Sequence, residues 1–261
     1  MIDNKYIDYC AKYYFTNGEA VPFVTKRDKQ LINIYPITVK NYFKYTNSIR
    51  LFTIDRTKSN DAKIISMTYL QFLVDVVLPS NESYQVMFDN VFKMSLGQYQ
   101  YVIGHDENNK AYIGAYKDNK EVFKIFARDF DNIVAIILHY NNPDYDSRIM
   151  SPDMQKAYED YCKIKFKDKT IPTLEEKKCF VMSKTGYTLN QVNEMPYRHF
   201  EMIYNSCLKN DLYFSHVILQ ASEKYQVENL EHPLYQPKTD MFSFLQDADK
   251  FRNAVEKAGQ I

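Results

Sequence analysis

The chain has 261 residues, of which 45% are hydrophobic and 25% are charged, the proportions of an ordinary globular protein. Its 33 basic and 33 acidic residues cancel, so no net charge attracts the chain to nucleic acid or to an anionic membrane surface. Only 6 glycines are present, which disfavours both a glycine-rich phosphate loop and a turn-rich all-β fold.

Residues 1–30 are rich in tyrosine and show no clear apolar period. A short helix is expected here, but the segment has little to bury by itself, which is typical of an arm that docks on a partner. Tyrosine combines a large apolar body with a polar tip and is common at interfaces. We therefore take Tyr9, Tyr13 and Tyr14 as candidate partner-binding residues and residues 1–30 as an N-terminal arm.

Residues 31–39 are rich in β-forming residues, but Pro36 interrupts them, which predicts an edge strand or an extended lead-in. A helix with Thr38 as its N-cap is expected next, from Val39 to about Phe52. The strand and the helix open an α+β domain that we assign to residues 31–142.

The most apolar stretch, residues 61–78, is predicted to be a central buried helix. Apolar residues with the i, i+3, i+4, i+7 spacing of a helical face are Leu70, Leu73, Val74 and Val77. Other apolar residues widen this face almost around the helix, so neighbours must cover several sides. Pro79 is expected to end it. The stretch is too short to cross a bilayer and carries Asp75, so it is interpreted as core.

A further helix, capped by Ser80 or Ser83, is expected to run through Met94 and to end at Gly97. The periodicity then changes to that of strands, within about residues 98–127. Three short β-rich runs separated by the turn-forming segments HDENNK and KDNK predict a small antiparallel meander: residues 99–103, 111–116 and 122–126. Asp129 is expected to cap the next helix.

Residues 143–261 are predicted to form an all-helical domain. Its helix-start signals are the Ser151-Pro152 pair, two capping-box pairs (Thr173 with Glu176, Thr188 with Gln191) and Pro196. After Pro196, two apolar stripes separated by residues 209–211 predict an antiparallel helical hairpin, and a last helix is expected near residues 240–257. An incompletely covered hairpin would expose Tyr204 and Phe214, which we add to the candidate partner-binding residues. The overall prediction is an α+β, predominantly helical fold.

No linear motif for catalysis, for a cofactor or for a metal is present. The histidines form no HxxxH pair, no serine lies in a GxSxG context, and the four cysteines form no close pair, as expected of isolated thiols in a reducing cytosol. Weaker candidates are a metal at His105 with its acidic neighbours, and a nucleic-acid face at residues 163–169, where lysines alternate with other residues. Solvated turns and charged surfaces explain both, so we expect no cofactor, no metal and no nucleic acid.

Three stretches resemble proteins encoded in the tail gene clusters of tailed phages of Gram-positive bacteria. They are LINIYPITVKNYFKYTNSIRLFTIDRTKSNDAKIISMTYLQFL, FARDFDNIVAIILHYNN and YTLNQVNEMPYRHFEMIYNSC. The resemblance implies a non-enzymatic protein that assembles a phage tail or baseplate, or forms part of one, through contact with other tail or baseplate proteins. It would act as an assembly chaperone or as a retained baseplate or hub subunit.

The N-terminus has no basic start and no apolar h-region, and no stretch has the length of a membrane span. We therefore expect the host cytoplasm as the location, with incorporation into the virion tail as a further expectation from the resemblance. The alternative hypothesis is a small cytosolic enzyme whose site residues meet only in three dimensions.

Overall fold

The structure is a computed structural model that describes residues 4–142 and 172–221. Over these ranges the predicted fold class is confirmed: the chain is α+β and helix-rich, with two small antiparallel sheets and a helical C-terminal part. Three predictions lie outside the described residues: the Ser151-Pro152 cap, the lysines of residues 163–169 and the helix near 240–257.

The described α-helices, π-helical turns and β-strands occur in the following order. They are α1 (Asn4–Cys10), a π-helical turn (Ala11–Phe15), β1 (Val21–Val24), β2 (Leu31–Ile34), α2 (Tyr42–Ile49), α3 (Ala62–Ser66), α4 (Tyr69–Phe72), a second π-helical turn (Leu73–Val77), α5 (Leu78–Ser80), α6 (Glu82–Leu96), β3 (Gln100–His105), β4 (Ala111–Lys117), β5 (Lys120–Phe126), α7 (Ala127–Asn141), α8 (Leu174–Thr185), α9 (Leu189–Glu194) and α10 (Tyr197–Ala221). Contacts divide the chain into two units, residues 1–146 with 181–203 and residues 147–180 with 204–261. This division differs from the predicted one, because residues 181–203 belong to the first unit.

Residues 4–24 are part of the core of the first unit, and the expectation of an arm with little to bury is wrong. Ile7 and Cys10 of α1 and Phe15 of the π-helical turn are buried. Strand β1 then pairs with β2 in an antiparallel hairpin that aligns Val21 with Ile34. Both of these residues are fully buried. Because this sheet has only two strands, β2 is an edge strand, one of the two alternatives predicted for residues 31–39.

The central apolar stretch is a broken helix and not a continuous one. Met67 has an extended backbone with ψ 152°, which ends α3, and the side chain of Thr68 caps α4 by accepting a hydrogen bond from the Gln71 N–H. None of the residues of α3 is buried, whereas Leu70 and Leu73 are fully buried. The core prediction therefore holds only after residue 69. Pro79 also does not end the helix, because it occupies an N-terminal position of α5, where its missing N–H is tolerated.

The meander is confirmed, with strand order β3-β4-β5 and antiparallel pairing throughout. Ile113 in the central strand aligns with Ile103 and Ile125, which gives the sheet one apolar face. Asp118 and Asn119 form the β4–β5 turn with φ of 52° and 61°, the left-handed conformation that a tight hairpin turn requires. Helix α6 contacts β3 through the rings of Phe92 and Tyr101, whose centroids lie 5.3 Å apart. The helix ends before Gly97, whose φ of 110° suits glycine.

Asp129 lies within the first turn of α7 and is not its N-cap, which is Phe126. Its buried carboxylate instead accepts a hydrogen bond from the Lys26 N–H at 3.1 Å. A carboxylate near a helix N-terminus is stabilised by the helix dipole, so the residue still suits its place. The aspartate thus ties α7 to the β1–β2 loop.

The C-terminal helices contain both predicted capping boxes. Thr188 and Gln191 bond reciprocally, as do Thr173 and Glu176. Residues 195–197 pair with the segment before α2: the Tyr197 N–H donates to Ile37 O at 2.9 Å, and the Val39 N–H donates to Met195 O at 3.0 Å. These bonds join residues 195–197 to the first unit.

Pro196 immediately precedes α10, as predicted. The predicted turn at residues 209–211 is wrong, because α10 is one helix of 25 residues. Lysine, asparagine and aspartate are common in turns, but a single helix accommodates all three at modest cost. There is consequently no helical hairpin between residues 197 and 221.

Candidate protein-interaction surface

Four tyrosines project from the outer side of the N-terminal helix and form what we call the tyrosine surface: Tyr6, Tyr9, Tyr13 and Tyr14. Tyr6 and Tyr9 lie on α1, and the π-helical turn sets the positions of Tyr13 and Tyr14. A π-helical turn is wider than an α-helical one, so residues five apart come to the same side. Cys10 and Phe15 therefore both point inward, and the tyrosines between them are left outside or half-buried.

Tyr9 is the centre of this surface. Its ring centroid lies 4.7 Å from that of Tyr13, 6.1 Å from that of Tyr14 and 6.4 Å from that of Tyr6. Tyr9 and Tyr13 are each 48% exposed. The structure thus brings together the three tyrosines that the sequence singled out in this region. Tilted and edge-on ring contacts at these distances are favourable, so the rings support one another.

Side chains of α7 and α10 contact the inner side of the same segment at Phe15. The Phe15 ring stacks on that of Tyr140 with centroids 4.3 Å apart, and the Tyr140 hydroxyl donates to Glu19 O at 2.8 Å. Nε2 of His199 lies 3.2 Å from Phe15 O, and the Arg198 guanidinium lies 5.6 Å from the Phe15 ring centroid. Contacts from α7 and from α10 therefore fix the end of the π-helical turn.

Burial raises the pKa of several groups in and beside the tyrosine surface. Burial raises the pKa of Tyr6 to about 12, with a further contribution from Cys10 beside it. Burial likewise raises the pKa of Cys10, and burial and the neighbouring Tyr9 raise the pKa of Tyr14. The Tyr6 hydroxyl donates to Pro22 O at 3.5 Å, which joins the surface to the hairpin. The fold thus favours the protonated hydroxyls of Tyr6 and Tyr14, which can donate hydrogen bonds.

Sequence reasoning missed the neighbouring apolar pair on the hairpin. Val24 and Leu31 are cross-strand partners, and they are 54% and 61% exposed. Each is adjacent in sequence to an inward-facing residue, as period-two alternation requires. The four-residue strand β1 contains Pro22, which concealed the alternation that would have revealed this outward face.

The two remaining candidate residues lie in the second unit. Tyr204 is half-buried, with its ring edge-on to Phe180 at 5.6 Å and the Lys177 Nζ 4.9 Å from its centroid. Phe214 is 61% exposed and lies 5.8 Å from the Tyr213 ring. Tyr204 is therefore a packing residue of its unit, and only Phe214 presents a largely free ring.

A groove of about 430 Å³ lies beside β3. It is the candidate active site under the alternative hypothesis that the chain is an enzyme. Residues lining the groove are Val74, Leu78, Gln85, Tyr101, Val102, Ile103, Gly104 and His105. At one end, Nε2 of His105 lies 2.8 Å from a carboxylate oxygen of Asp75. A histidine–carboxylate pair can activate a nucleophile, but the described residues that line the groove include no serine, threonine or cysteine.

Metal binding and membrane insertion have no visible basis in the described residues. Within residues 4–142 and 172–221, no three His, Cys, Asp or Glu side chains are grouped so that they could hold a metal ion. No helix of the same ranges combines the length and apolar character needed to span a membrane. Three described cysteines, Cys10, Cys179 and Cys207, are free thiols. Neither protein-family models, nor curated protein sequences, nor solved structures give any match to this chain.

Proposed function

We propose that this chain is a non-enzymatic protein that acts by protein–protein contact, with the tyrosine surface as its main contact. One observation carries the proposal. Tyr9 and Tyr13 are half exposed on a segment whose other side, at Cys10 and Phe15, is fully buried. The fold thus stabilises an aromatic patch that it does not itself cover.

The energetics of association favour such a patch. Tyrosine is among the residues that dominate binding energy at protein interfaces. Ordering loose side chains costs about 0.5–1.5 kcal/mol for each immobilised residue, and a preorganised group avoids part of that cost. The mutual ring contacts of Tyr9 and the anchoring of Phe15 provide this preorganisation.

The sequence resemblance supplies the setting for this proposal. It supports a role in building a phage tail or baseplate, either as an assembly chaperone or as a retained subunit. The partners would be other tail or baseplate proteins, and the site of action would be the host cytoplasm or the virion tail. The neutral charge balance fits partners recognised through aromatic contact and not through a strong field.

A paired substitution tests the proposal. The variant Tyr9→Asp with Tyr13→Asp places two charges on the exposed patch, and we expect it to fold like the parent because both side chains are half exposed. Co-expressed with the products of the neighbouring genes, it should fail to co-purify with the partner that the parent retains. Tyr187→Asp is the control, because Tyr187 is an exposed tyrosine far along the sequence, between α8 and α9.

The outcome tests separately whether the tyrosine surface is the contact and whether the partners are tail or baseplate proteins. Equal co-purification of the parent and the double variant would refute the tyrosine surface as the contact. A parent that captures no tail or baseplate protein would refute the proposed setting. Mass spectrometry of purified particles then distinguishes a retained subunit from a chaperone that leaves.

A further inference from the structure

The two edge strands of the three-stranded sheet, β3 and β5, differ in how their outer edges are protected from pairing with another strand. At the β5 edge, the side-chain oxygen of Gln30 accepts a hydrogen bond from the Lys124 N–H at 2.9 Å. Strand β5 also carries Lys120 and Lys124, and its pairing with β4 is irregular at Ala115/Tyr116. Lysines and bulges are the usual means by which proteins protect a sheet edge from further pairing.

Strand β3 has none of these protections. Its sequence, QYVIGH, contains no lysine, arginine or proline, and it pairs with β4 in unbroken register over all six residues. Among the described elements, none pairs with its outer edge. Alternate N–H and C=O groups of a strand point to either side, so about half of those in β3 face away from β4. Such an edge is ready for one more strand.

Five consecutive residues of β3, residues 101–105, line the groove beside it. Successive side chains of a strand point to opposite faces, so lining by all five is typical of a groove at a strand edge. Val74 and Leu78 give it an apolar wall, and Val102 is 40% exposed on the strand side. His105, the last residue of β3, also lines the groove, and its Nε2 lies 2.8 Å from a carboxylate oxygen of Asp75. Both side chains are about one-third exposed. An apolar wall beside a strand whose outer edge pairs with no described element, with a carboxylate near one end, matches an extended peptide better than a compact ligand.

We propose that the β3 edge binds an extended segment of a partner polypeptide as an added strand. The segment's backbone would pair with β3, one of its apolar side chains would contact Val74 and Leu78, and a Lys or Arg at one end would reach Asp75. In strand addition the main-chain hydrogen bonds give affinity and the side-chain pockets give specificity. The site is separate from the tyrosine surface and does not depend on the proposed function.

The experiment uses the full chain and a displayed library of random dodecapeptides, because the partner sequence is unknown. The selected peptides should share alternating apolar residues with a Lys or Arg near one end. Synthetic copies should bind the parent, and binding should weaken at least about tenfold when alternate backbone amides are N-methylated, since those amides can no longer donate to β3. Tyr9→Asp with Tyr13→Asp should leave this binding unchanged.

Matched substitutions locate the site. Val102→Lys introduces on β3 the protection that β5 already has, and it should weaken peptide binding about tenfold or more. Val122→Lys is its control, since Val122 lies on β5 and is also 40% exposed. Asp75→Asn should weaken binding of peptides with a basic end, while Glu107→Gln, on the exposed β3–β4 turn, should not.

Three results would overturn the proposal. One is a library that yields no saturable binder. Another is equal binding by the parent and the Val102→Lys variant, which would put the peptides elsewhere on the chain. The third is full binding by N-methylated peptides, which would show a side-chain contact without strand pairing.

Discussion

The N-terminal segment, residues 4–24, and the distal half of α10, residues 204–221, both display aromatic side chains on helices, yet they differ in what lies beneath. Under the first, Cys10 and Phe15 are completely enclosed. Within residues 204–221, by contrast, no side chain is buried, and the buried residues of α10 are confined to Tyr197 and Phe200. Exposed aromatic rings therefore lie on a segment with fully buried residues in the first region and on a helix segment without buried residues in the second.

This difference shows that exposure alone does not identify an interface. A helix in a folded protein owes most of its stability to packing of one face and not to propensity. An aromatic residue on a packed helix is already ordered, so a partner need not supply that order. Phe214 is more exposed than Tyr9, but Tyr9 is the better-prepared contact because its helix is anchored.

The largest expected effect comes from making the same substitution in both regions. Phe15→Ala should lower the free energy of unfolding by about 3–5 kcal/mol, because it removes a buried ring stacked on Tyr140. Phe214→Ala should change it by less than about 0.5 kcal/mol, since the ring is mostly exposed. Urea denaturation followed by circular dichroism measures both.

Similar losses for the two variants would remove the distinction between the regions. A small loss for Phe15→Ala would favour the sequence-based prediction that residues 1–30 form a dispensable arm. Removal of residues 1–30 gives a second measurement: we expect poorly folded protein, because Val21 and Phe23 on β1 would also be lost from the core.

Much of the fold was predictable where local signals act alone. The Thr188–Gln191 box and Pro196 fix helix starts through neighbouring residues. The meander was predictable because its turns contain asparagine and aspartate, which tolerate the positive φ found at Asp118 and Asn119. These features need no knowledge of distant contacts.

The predictions that were wrong concern regions whose structure depends on a helix cap or on a contact between residues far apart in the sequence. The break at Met67 precedes a polar cap, Thr68, inside an otherwise apolar run, and periodicity alone does not weigh such a cap. Burial of Phe15 depends on Tyr140 and His199, which are far away in the sequence. The tyrosine surface could therefore be predicted as aromatic residues on a helix, but its anchoring could not.

The anchoring of the N-terminal segment also distinguishes two glycines with nearly equal φ. Gly18 has φ 73° and Gly186 has φ 74°. A Cβ on Gly18 would lie 2.8 Å from His199 Cε1, whereas nothing lies within 4 Å of one on Gly186. Gly186→Ala should cost about 1 kcal/mol for the left-handed backbone alone. Gly18→Ala should cost about 2–3 kcal/mol, because His199 must also move from its position 3.2 Å from Phe15 O.

Equilibrium denaturation of the two variants gives the difference directly, and the shared backbone penalty cancels. Equal costs would mean that His199 yields freely and that its contact with Phe15 does not hold the segment. A larger cost for Gly186→Ala would contradict the anchoring altogether.

The smallest expected effect concerns the hydroxyl group of Tyr6 in the tyrosine surface. Burial raises the pKa of Tyr6 from 10.0 to about 12, so the fold favours its protonated form. The stability that this group contributes is therefore complete below pH 10 and is lost as the pH rises through about 12. The ζ-carbon resonance of Tyr6 in ¹³C-labelled protein, assigned by its absence in Tyr6→Phe, should still report the neutral phenol at pH 11. Ionisation of Tyr6 near pH 10 in protein that remains folded would show that the ring is not packed against Cys10 and Pro22. The tyrosine surface would then lack the anchoring that its role as a prepared contact requires.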